Sequence, residues 1–342
     1  MNLLRRHGGT GRRARSVEPL SPPDTPSFDD HAFESRLAWI FGSPRTGSTW
    51  LLRLLTFPLR PTTKRPSGSI MPRKASVQPV AVPLDEPYLP SHLTPVTNGF
   101  AEPGAPSFLL KGMRADDPNY FFADAFAECW RPEVRRLILV RLHAQANLAA
   151  REHSLHDPFV VVKEPNGSHG ADIVMSILSH SRLIFLLRDG RDVIDSMLHA
   201  QSGGGWLEGR RGFGRAPSES ARLDFVRQHS RLWVNRTLAV ERAYGAHPPD
   251  LRITIRYEDL RADTLGALRP LIDWLGAQRS DEELEAAVAA LAFEAYPARA
   301  KGPTKPLRAA SPGLWRENVS DAERLLMNEI MGGTLQRLSY EV

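Results

Sequence analysis

The chain has 342 residues, of which 42% are hydrophobic and 24% charged, so it can bury a substantial core. Its net charge of +5 suits anionic ligands but is too diffuse to indicate a nucleic-acid partner. Cys129 is the single cysteine, which excludes a disulfide framework within one chain, and we expect it on the buried side of a helix. No apolar run reaches the roughly 18 to 20 residues of a membrane span. We therefore expect a soluble, cytoplasmic protein.

The chain begins with a polar and basic stretch that has no periodic apolar pattern. We interpret residues 1–30 as a disordered tail and 31–342 as one folded domain, with order beginning near Leu37. "LAWIF" predicts a buried parallel strand, and "STWLLRLLTF" changes to helical spacing. Strand, tight turn and helix are the parts of a phosphate-binding loop.

Residues 58–107 are rich in proline, which excludes long helices and central strands, so we expect an insertion that runs over the surface. Beyond it, "PFVVVKEP", "RLIFLLRDG" and "LRITIRYEDL" predict three further strands separated by helices. A glycine-rich loop is expected at 201–217. The later helices are predicted over 218–245, 264–276, 281–293 and 320–338. The alternation predicts an α/β fold with a parallel sheet covered by helices on both faces.

The turn after "LAWIF" has the frame of a nucleotide-binding loop without its lysine. Gly42, four residues, Gly47 and two hydroxyl residues match G-x-x-x-x-G-K-[ST], except that Ser48 replaces the lysine. A helix N-terminus supplies backbone donors and a partial positive charge, and Arg45 supplies a cation inside the loop. The pattern predicts an anion site that uses protein cations, and we expect no metal. An ATP-dependent kinase, or a noncatalytic nucleotide-binding protein, stays an alternative.

The stretch "SPRTGSTWL" resembles the 5′-phosphosulfate loop of the cytosolic-type sulfotransferases. Their sulfuryl donor is 3′-phosphoadenosine 5′-phosphosulfate (PAPS). The resemblance implies that the loop binds the phosphosulfate group and that Trp50 stacks on the adenine. The loop residues that it assigns to the donor are Arg45, Thr46, Gly47, Ser48 and Thr49.

A donor with a 3′-phosphate needs a second cationic pocket, and "LLRDGRDVIDSM" is suited to supply it. Arg188 ends a strand, and Ser196 lies eight positions later in the following helix, a spacing that resembles the family's 3′-phosphate motif. We expect Arg191 and Asp192 to be surface or capping residues. "RYEDL" resembles the family's Tyr-Glu-Asp segment, which implies that Tyr257 lies near the nucleotide.

The C-terminal part of the chain adds a third element. Gly313, Trp315 and Arg316 resemble the family's Gly-x-Trp-Lys/Arg pattern, and the family's spacing assigns Arg308 to the 3′-phosphate. The two residues after Arg308 are alanines where the family has lysine and glycine. Other candidates for the same role are Lys301 and Lys305.

The candidates for the chemical step are Arg45, Lys163 and Glu164. Arg45 is placed to stabilise the leaving oxygen, and Lys163 matches the lysine that opens the family's Lys-Thr-His segment. The histidine of that segment is absent. We predict Glu164 as the general base, with His169 as the alternative, although we expect His169 to be exposed at a helix start.

The resulting hypothesis is a PAPS-dependent sulfotransferase that transfers the sulfuryl group to a hydroxyl or amine by in-line displacement. The acceptor is a small molecule, a glycan or a lipid, and its site is predicted within 58–107 and 201–217. We predict no nucleic-acid partner and no membrane span; the sequence does not indicate an oligomeric state.

Overall fold

The computed structural model describes residues 28–58, 80–87, 89, 122–152, 158–201, 219–302, 305 and 310–342. These residues contain a five-stranded parallel sheet with the strand order β2-β3-β1-β4-β5. The strands are β1 (Leu37–Phe41), β2 (Ala81–Asp85), β3 (Phe159–Lys163), β4 (Arg182–Leu187) and β5 (Arg252–Arg256).

The helices of the described residues connect and cover these strands. They are α1 (Asp30–Glu34), α2 (Ser48–Leu55), α3 (Ala127–Glu152), α4 (Ala171–Ile177), α5 (Gly190–Gln201), α6 (Glu219–Ala246), α7 (Tyr257–Ala262), α8 (Thr264–Leu275), α9 (Asp281–Leu291), α10 (Trp315–Asn318) and α11 (Asp321–Arg337). None of them is both long and apolar enough to cross a membrane.

The central strand β1 is fully buried and faces a separate layer of helices on each side. Leu37, Trp39 and Phe41 point into a core that includes side chains of α3, α4 and α6. Ala38 and Ile40 point into a second core with α2, α8 and α9. This two-sided covering explains the continuous apolar run of β1 and confirms the predicted α/β architecture.

A third cluster of buried side chains lies beside the sheet. Trp233 of α6, Trp315 of α10 and Met331 of α11 pack there with Val193 and Ile194 of α5. Because α5 follows β4 directly, this cluster holds the C-terminal helices next to the carboxyl end of β4. It thereby places the Gly313–Trp315 segment near Arg188.

The proline-rich segment contributes a strand that the sequence analysis did not predict. Within the predicted surface insertion, β2 pairs with β3, and Pro83 lies in register with Val161. The first four residues of β2 are buried, so the prediction of a surface excursion was wrong for 81–85. Since β2 is the edge strand of the described sheet, the N–H that proline lacks is not needed on its outer side.

Two predictions near α3 also need correction. Cys129 is exposed rather than buried. Phe28, which was assigned to the disordered tail, stacks on His143 of α3 with ring centroids 3.9 Å apart, and Asp29 caps α1 through the backbone N–H of His31. Order therefore begins before Leu37. Residues 1–27, and the 201–217 loop apart from Gln201, lie outside the described residues.

Candidate active site

The loop between β1 and α2 is shaped by two glycines. Gly42 has φ 153°, and a Cβ there would collide with the carbonyl oxygen of Leu186. Gly47 is the N-cap of α2 at φ 86°, where a Cβ would lie 2.7 Å from Cδ2 of the Tyr257 ring. Both positions combine a left-handed backbone with a close neighbour, so only glycine fits them without strain. The loop therefore holds the N-terminus of α2 against β4 and β5.

The predicted loop hydroxyls lie at the start of α2. Thr46 is buried and donates from Oγ1 to the carbonyl oxygen of Ser43 at 2.8 Å. Ser48 and Thr49 are the first two residues of α2, next to its unpaired backbone N–H groups. Trp50 is half-buried, packs against the core formed with α8 and α9, and donates from its indole nitrogen to the carbonyl oxygen of Leu291 at 3.0 Å.

The structure brings together the two motifs that the sequence assigned to opposite ends of the donor. Nε of Arg45 donates to Oγ of Ser196 at 3.0 Å. Arg188, 8% exposed, donates from Nη1 to the backbone carbonyl of Arg45 at 2.8 Å. The guanidinium of Arg188 also lies 4.3 Å from the centre of the Tyr257 ring. Two arginines thus meet at the carboxyl ends of β1 and β4.

Tyr257 lies at the end of β5, as predicted, and is the first residue of α7. It is buried between Gly47 and Arg188, and its ring is perpendicular to that of Trp50, with centroids 6.2 Å apart. Burial raises the pKa of its hydroxyl, and the charge of Arg188 partly opposes that rise. The phenol is therefore neutral near pH 7.

Lys163 lies at the carboxyl end of β3 within a cluster of acidic and hydroxyl groups. Its Nζ lies 2.6 Å from Oδ1 of Asp85 and 3.0 Å from Oε1 of Glu86, and donates to Oγ1 of Thr49 at 3.2 Å. Lys163 is only 4% exposed, so these carboxylates compensate its charge in a poorly hydrated position. The sequence analysis missed Asp85 and Glu86. The signal was present as a short apolar run that ends in Asp-Glu, but the prolines concealed the strand.

Glu164 follows β3 and is completely buried. Its backbone N–H donates to the carbonyl oxygen of Ile40 at 3.0 Å, and its Oε1 accepts from the N–H of Leu89 at 3.0 Å. The carboxylate therefore binds the segment that leaves β2. The predicted base thus lies at the expected sheet edge, one residue from Lys163.

His169 does not have the exposure that we expected. It lies in a short 3₁₀ turn before α4, as predicted, but is 2% exposed, and its Nδ1 is 3.1 Å from the carbonyl oxygen of Asn166. Burial lowers its pKa to about 4, with a smaller contribution from the charge of Arg236. The exposed position was wrong because α6 packs over this turn. Such a low pKa makes His169 a weak base.

Arg191 and Asp192 are buried rather than on the surface. The guanidinium of Arg191 pairs with Asp189 at 2.8 Å and lies 4.1 Å from the Trp315 ring centre. Asp192 accepts from the backbone N–H groups of Gly313 at 2.7 Å and Trp315 at 3.4 Å, and so binds the segment that leads into α10. Burial raises the pKa of Asp192, and Arg188 opposes this.

The Gly313–Trp315 element is thus fixed against the start of α5. Arg308, which the resemblance assigns to the 3′-phosphate, lies outside the described residues. Of its alternatives, Lys301 donates to the carbonyl oxygen of Glu294 at 3.2 Å. That bond to a backbone acceptor does not connect Lys301 with Arg188.

Comparison with known proteins relates this geometry to one family. A search among curated proteins found no match. Similar solved structures include a mouse sulfotransferase complexed with PAP, at 12% identity over 89% of both chains and a TM-score of 0.48. Others are STF9 from Mycobacterium avium, at 14% identity over 90% of this chain and 78% of that one (TM-score 0.46), and retinol dehydratase with androsterone and the inactive cofactor PAP, at 15% identity over 90% and 82% (TM-score 0.44).

The family model described as "Sulfotransferase family" matches residues 38–281. That range is most of the chain. It contains β1 from its second residue onward, the loop with Arg45, the end of β3 with Lys163, and the β4–α5 junction with Arg188 and Ser196. The chain therefore belongs to the sulfotransferase family.

Proposed function

We propose that the protein transfers the sulfuryl group of PAPS to a hydroxyl or amine of an acceptor. The observation that carries this proposal is the direct contact between the two predicted phosphate motifs, in which Arg45 binds Ser196 and Arg188 binds the Arg45 carbonyl. A ligand with anionic groups at both ends matches two arginines at neighbouring strand ends better than a ligand with one anionic group.

The 5′-phosphosulfate is proposed to bind at the N-terminus of α2. Backbone N–H groups, the hydroxyls of Ser48 and Thr49, and the partial positive charge of the helix favour an anion there. Arg45, in the preceding turn, is assigned to the oxygen between phosphorus and sulfur, where negative charge grows during transfer. Gly47 permits the close backbone approach, and Trp50 is assigned to the adenine.

The 3′-phosphate is assigned to Arg188 and Ser196, with Arg308 as a further contributor. The hydroxyl of Ser196 already accepts from Arg45, so donor binding would exchange a protein hydrogen bond for bonds to phosphate. Tyr257 is assigned a supporting role because its ring lies against the guanidinium of Arg188. These contacts orient Arg188 before the nucleotide arrives.

In the proposed step, an acceptor oxygen or nitrogen forms a bond to sulfur while the bond from sulfur to the bridging oxygen breaks. Adenosine 3′,5′-bisphosphate leaves with the electron pair, and the acceptor proton passes to a carboxylate. Lys163 lies beside Thr49 at the start of α2, a location that supports a role in neutralising the transferred group.

Glu164 is the first candidate for the base, and Glu86 is the second. Glu164 adjoins Lys163 in sequence but is buried and also binds Leu89, whereas Glu86 contacts the ammonium of Lys163 directly and has a side chain 22% exposed. A base must reach the acceptor, and this requirement favours testing both carboxylates.

The experiment uses radiolabelled PAPS with an extract of metabolites to find the acceptor, followed by rates for Glu164→Gln and Glu86→Gln. The variant that lacks the base should transfer about a hundredfold more slowly and bind adenosine 3′,5′-bisphosphate normally. Unchanged transfer by Glu164→Gln would remove that residue from the mechanism. Absence of any labelled product with the wild-type protein would contradict the proposed function. A cytoplasmic location stays a prediction.

A further inference from the structure

Helix α3 has an apolar stripe on its outer face, away from the core that its other side joins. Leu137 is 68% exposed and Leu148 59% exposed, and Phe126, immediately before the helix, is 52% exposed. They account for three of the five large hydrophobic side chains that are exposed in the described part of the chain. Their spacing is 11 residues in each case, which is about three helical turns, so they lie along one line.

Two opposite charges flank the middle of this stripe at equal distances. Glu133 precedes Leu137 by four residues, and Arg141 follows it by four. Glu133 and Arg141 are both exposed. Glu133 has no ion-pair partner among the described residues. In the same part of the chain, Arg141 donates only to the amide oxygen of Gln145, at 2.9 Å.

Two other arginines of α3, on the side that faces α1, have ion-pair partners, unlike Arg141. Arg135 and Arg136 pair with acidic groups of α1, among them Asp30. The charges inside the fold are therefore compensated, whereas Glu133 and Arg141 are left for solvent or a partner.

We propose that this stripe, Phe126 to Leu148, binds the same stripe of a second copy of the chain as an antiparallel helix pair centred on Leu137. A two-fold axis at Leu137 places each residue opposite the one equally far on the other side. Phe126 then meets Leu148 of the second copy, and Glu133 meets Arg141 of the second copy, twice each. The stripe is complementary to itself in both apolar contacts and charge, which is the property an isologous dimer requires.

The size of the stripe limits the surface area that the dimer can bury. It extends over about 33 Å, from a helical rise of about 1.5 Å per residue. One helix on each side buries less surface than the standard interface of roughly 1,600 Å², so we expect a weak dimer. In this register Ala144, exposed on the same face, lies opposite Trp130 of the second copy, so a small side chain faces a large one.

Sedimentation of the full chain over a wide concentration range tests the charge pairing. Glu133→Arg and Arg141→Glu should each raise the dissociation constant at least tenfold, because each places like charges opposite one another at two positions. The double reversal Glu133→Arg with Arg141→Glu should return it to within about threefold of wild type. A monomer at every concentration, or a double variant no better than the single ones, would overturn the proposal.

Cross-linking tests the register of the pair. In a Cys129→Ser background, Leu137→Cys lies on the axis and should form an intermolecular disulfide under mild oxidation. Leu325→Cys is the matched control, because Leu325 is 72% exposed but lies on α11. Equal rates of cross-linking for the two variants would exclude the Leu137-centred dimer. The sulfotransferase activity is measured separately, since the proposal does not depend on it.

Discussion

The carboxyl ends of the strands form one edge of the sheet, and cations lie in different surroundings in its two halves. At the ends of β1 and β4, the bonds that join Arg45 and Arg188 run to a serine hydroxyl and a backbone carbonyl. At the ends of β2 and β3, Lys163 contacts the carboxylates of Asp85 and Glu86. Two arginine charges favour an anionic donor at the first half, whereas at the second half two carboxylates already face the single charge of Lys163. We propose that the first half binds the donor and that the second half serves the proton transfer at the acceptor.

Loss of the loop cation should have the largest effect on catalysis. Arg45→Ala should lower the rate of sulfuryl transfer about a thousandfold, because a charge aimed at the leaving oxygen stabilises mainly the transition state. Arg53→Ala is the matched control, since Arg53 lies in the last turn of α2 and donates to the Tyr296 hydroxyl at 3.1 Å. Steady-state kinetics measure both. Similar rates for the two variants would refute the role of Arg45.

Loss of the second arginine should weaken donor binding more than it slows transfer. Arg188→Ala should reduce affinity for adenosine 3′,5′-bisphosphate about fiftyfold, because the proposed contact with the 3′-phosphate and the bond to the Arg45 carbonyl are both lost. Arg188→Lys should recover part of this affinity. Affinity for adenosine 5′-monophosphate, which lacks the 3′-phosphate, should fall far less. An equal loss for both nucleotides would mean that Arg188 does not contact the 3′-phosphate.

His169, which is buried in the turn after β3, should make the stability of the fold depend on pH. Its pKa is about 4 in the fold and about 6.5 when unfolded, so the unfolded chain takes up the proton first. Stability is therefore full above about pH 6.5 and falls as the pH decreases toward about 4, by up to tenfold in the unfolding constant per pH unit. His169→Gln should lower by one the number of protons that the chain takes up on unfolding, and so flatten the slope of the unfolding free energy against pH. Urea unfolding at several pH values measures this slope. An unaltered slope would show that His169 is not buried as a neutral group.

The smallest effect should come from a change at the ends of β2 and β3, beside Lys163. Asp85→Asn removes one of the two carboxylates at Lys163 and leaves Glu86 in place. The added net positive charge should strengthen binding of adenosine 3′,5′-bisphosphate about threefold, by the ordinary attraction of unlike charges near a protein surface. Titration at low salt measures it. Unchanged or weaker binding would show that the charge of Asp85 does not act on the nucleotide site.

The residues at the ends of β1 and β4 could be predicted from local patterns, because each of the two motifs lies within a dozen residues of sequence. The glycine frame around Arg45, and Arg188 eight residues before Ser196, describe strand ends that any parallel sheet places at one edge. Asp85 and Glu86 could not be found in this way, since they reach Lys163 only through the pairing of β2 with β3 across a long stretch of chain.

Burial was the least predictable property. His169 and Arg191 are polar residues at helix starts, and such positions are usually exposed. Both are covered by elements distant in sequence: α6 packs over His169, and the ring of Trp315 covers Arg191. Local pattern thus predicted the strands apart from β2, whereas long-range packing decided which charges are buried.

Calorimetric titration of the purified protein with adenosine 3′,5′-bisphosphate in the presence of a metal chelator tests the central claim most directly. The account predicts saturable binding at one site, with micromolar or tighter affinity that magnesium does not change. No binding of this nucleotide, or binding of ATP that requires magnesium, would contradict the account.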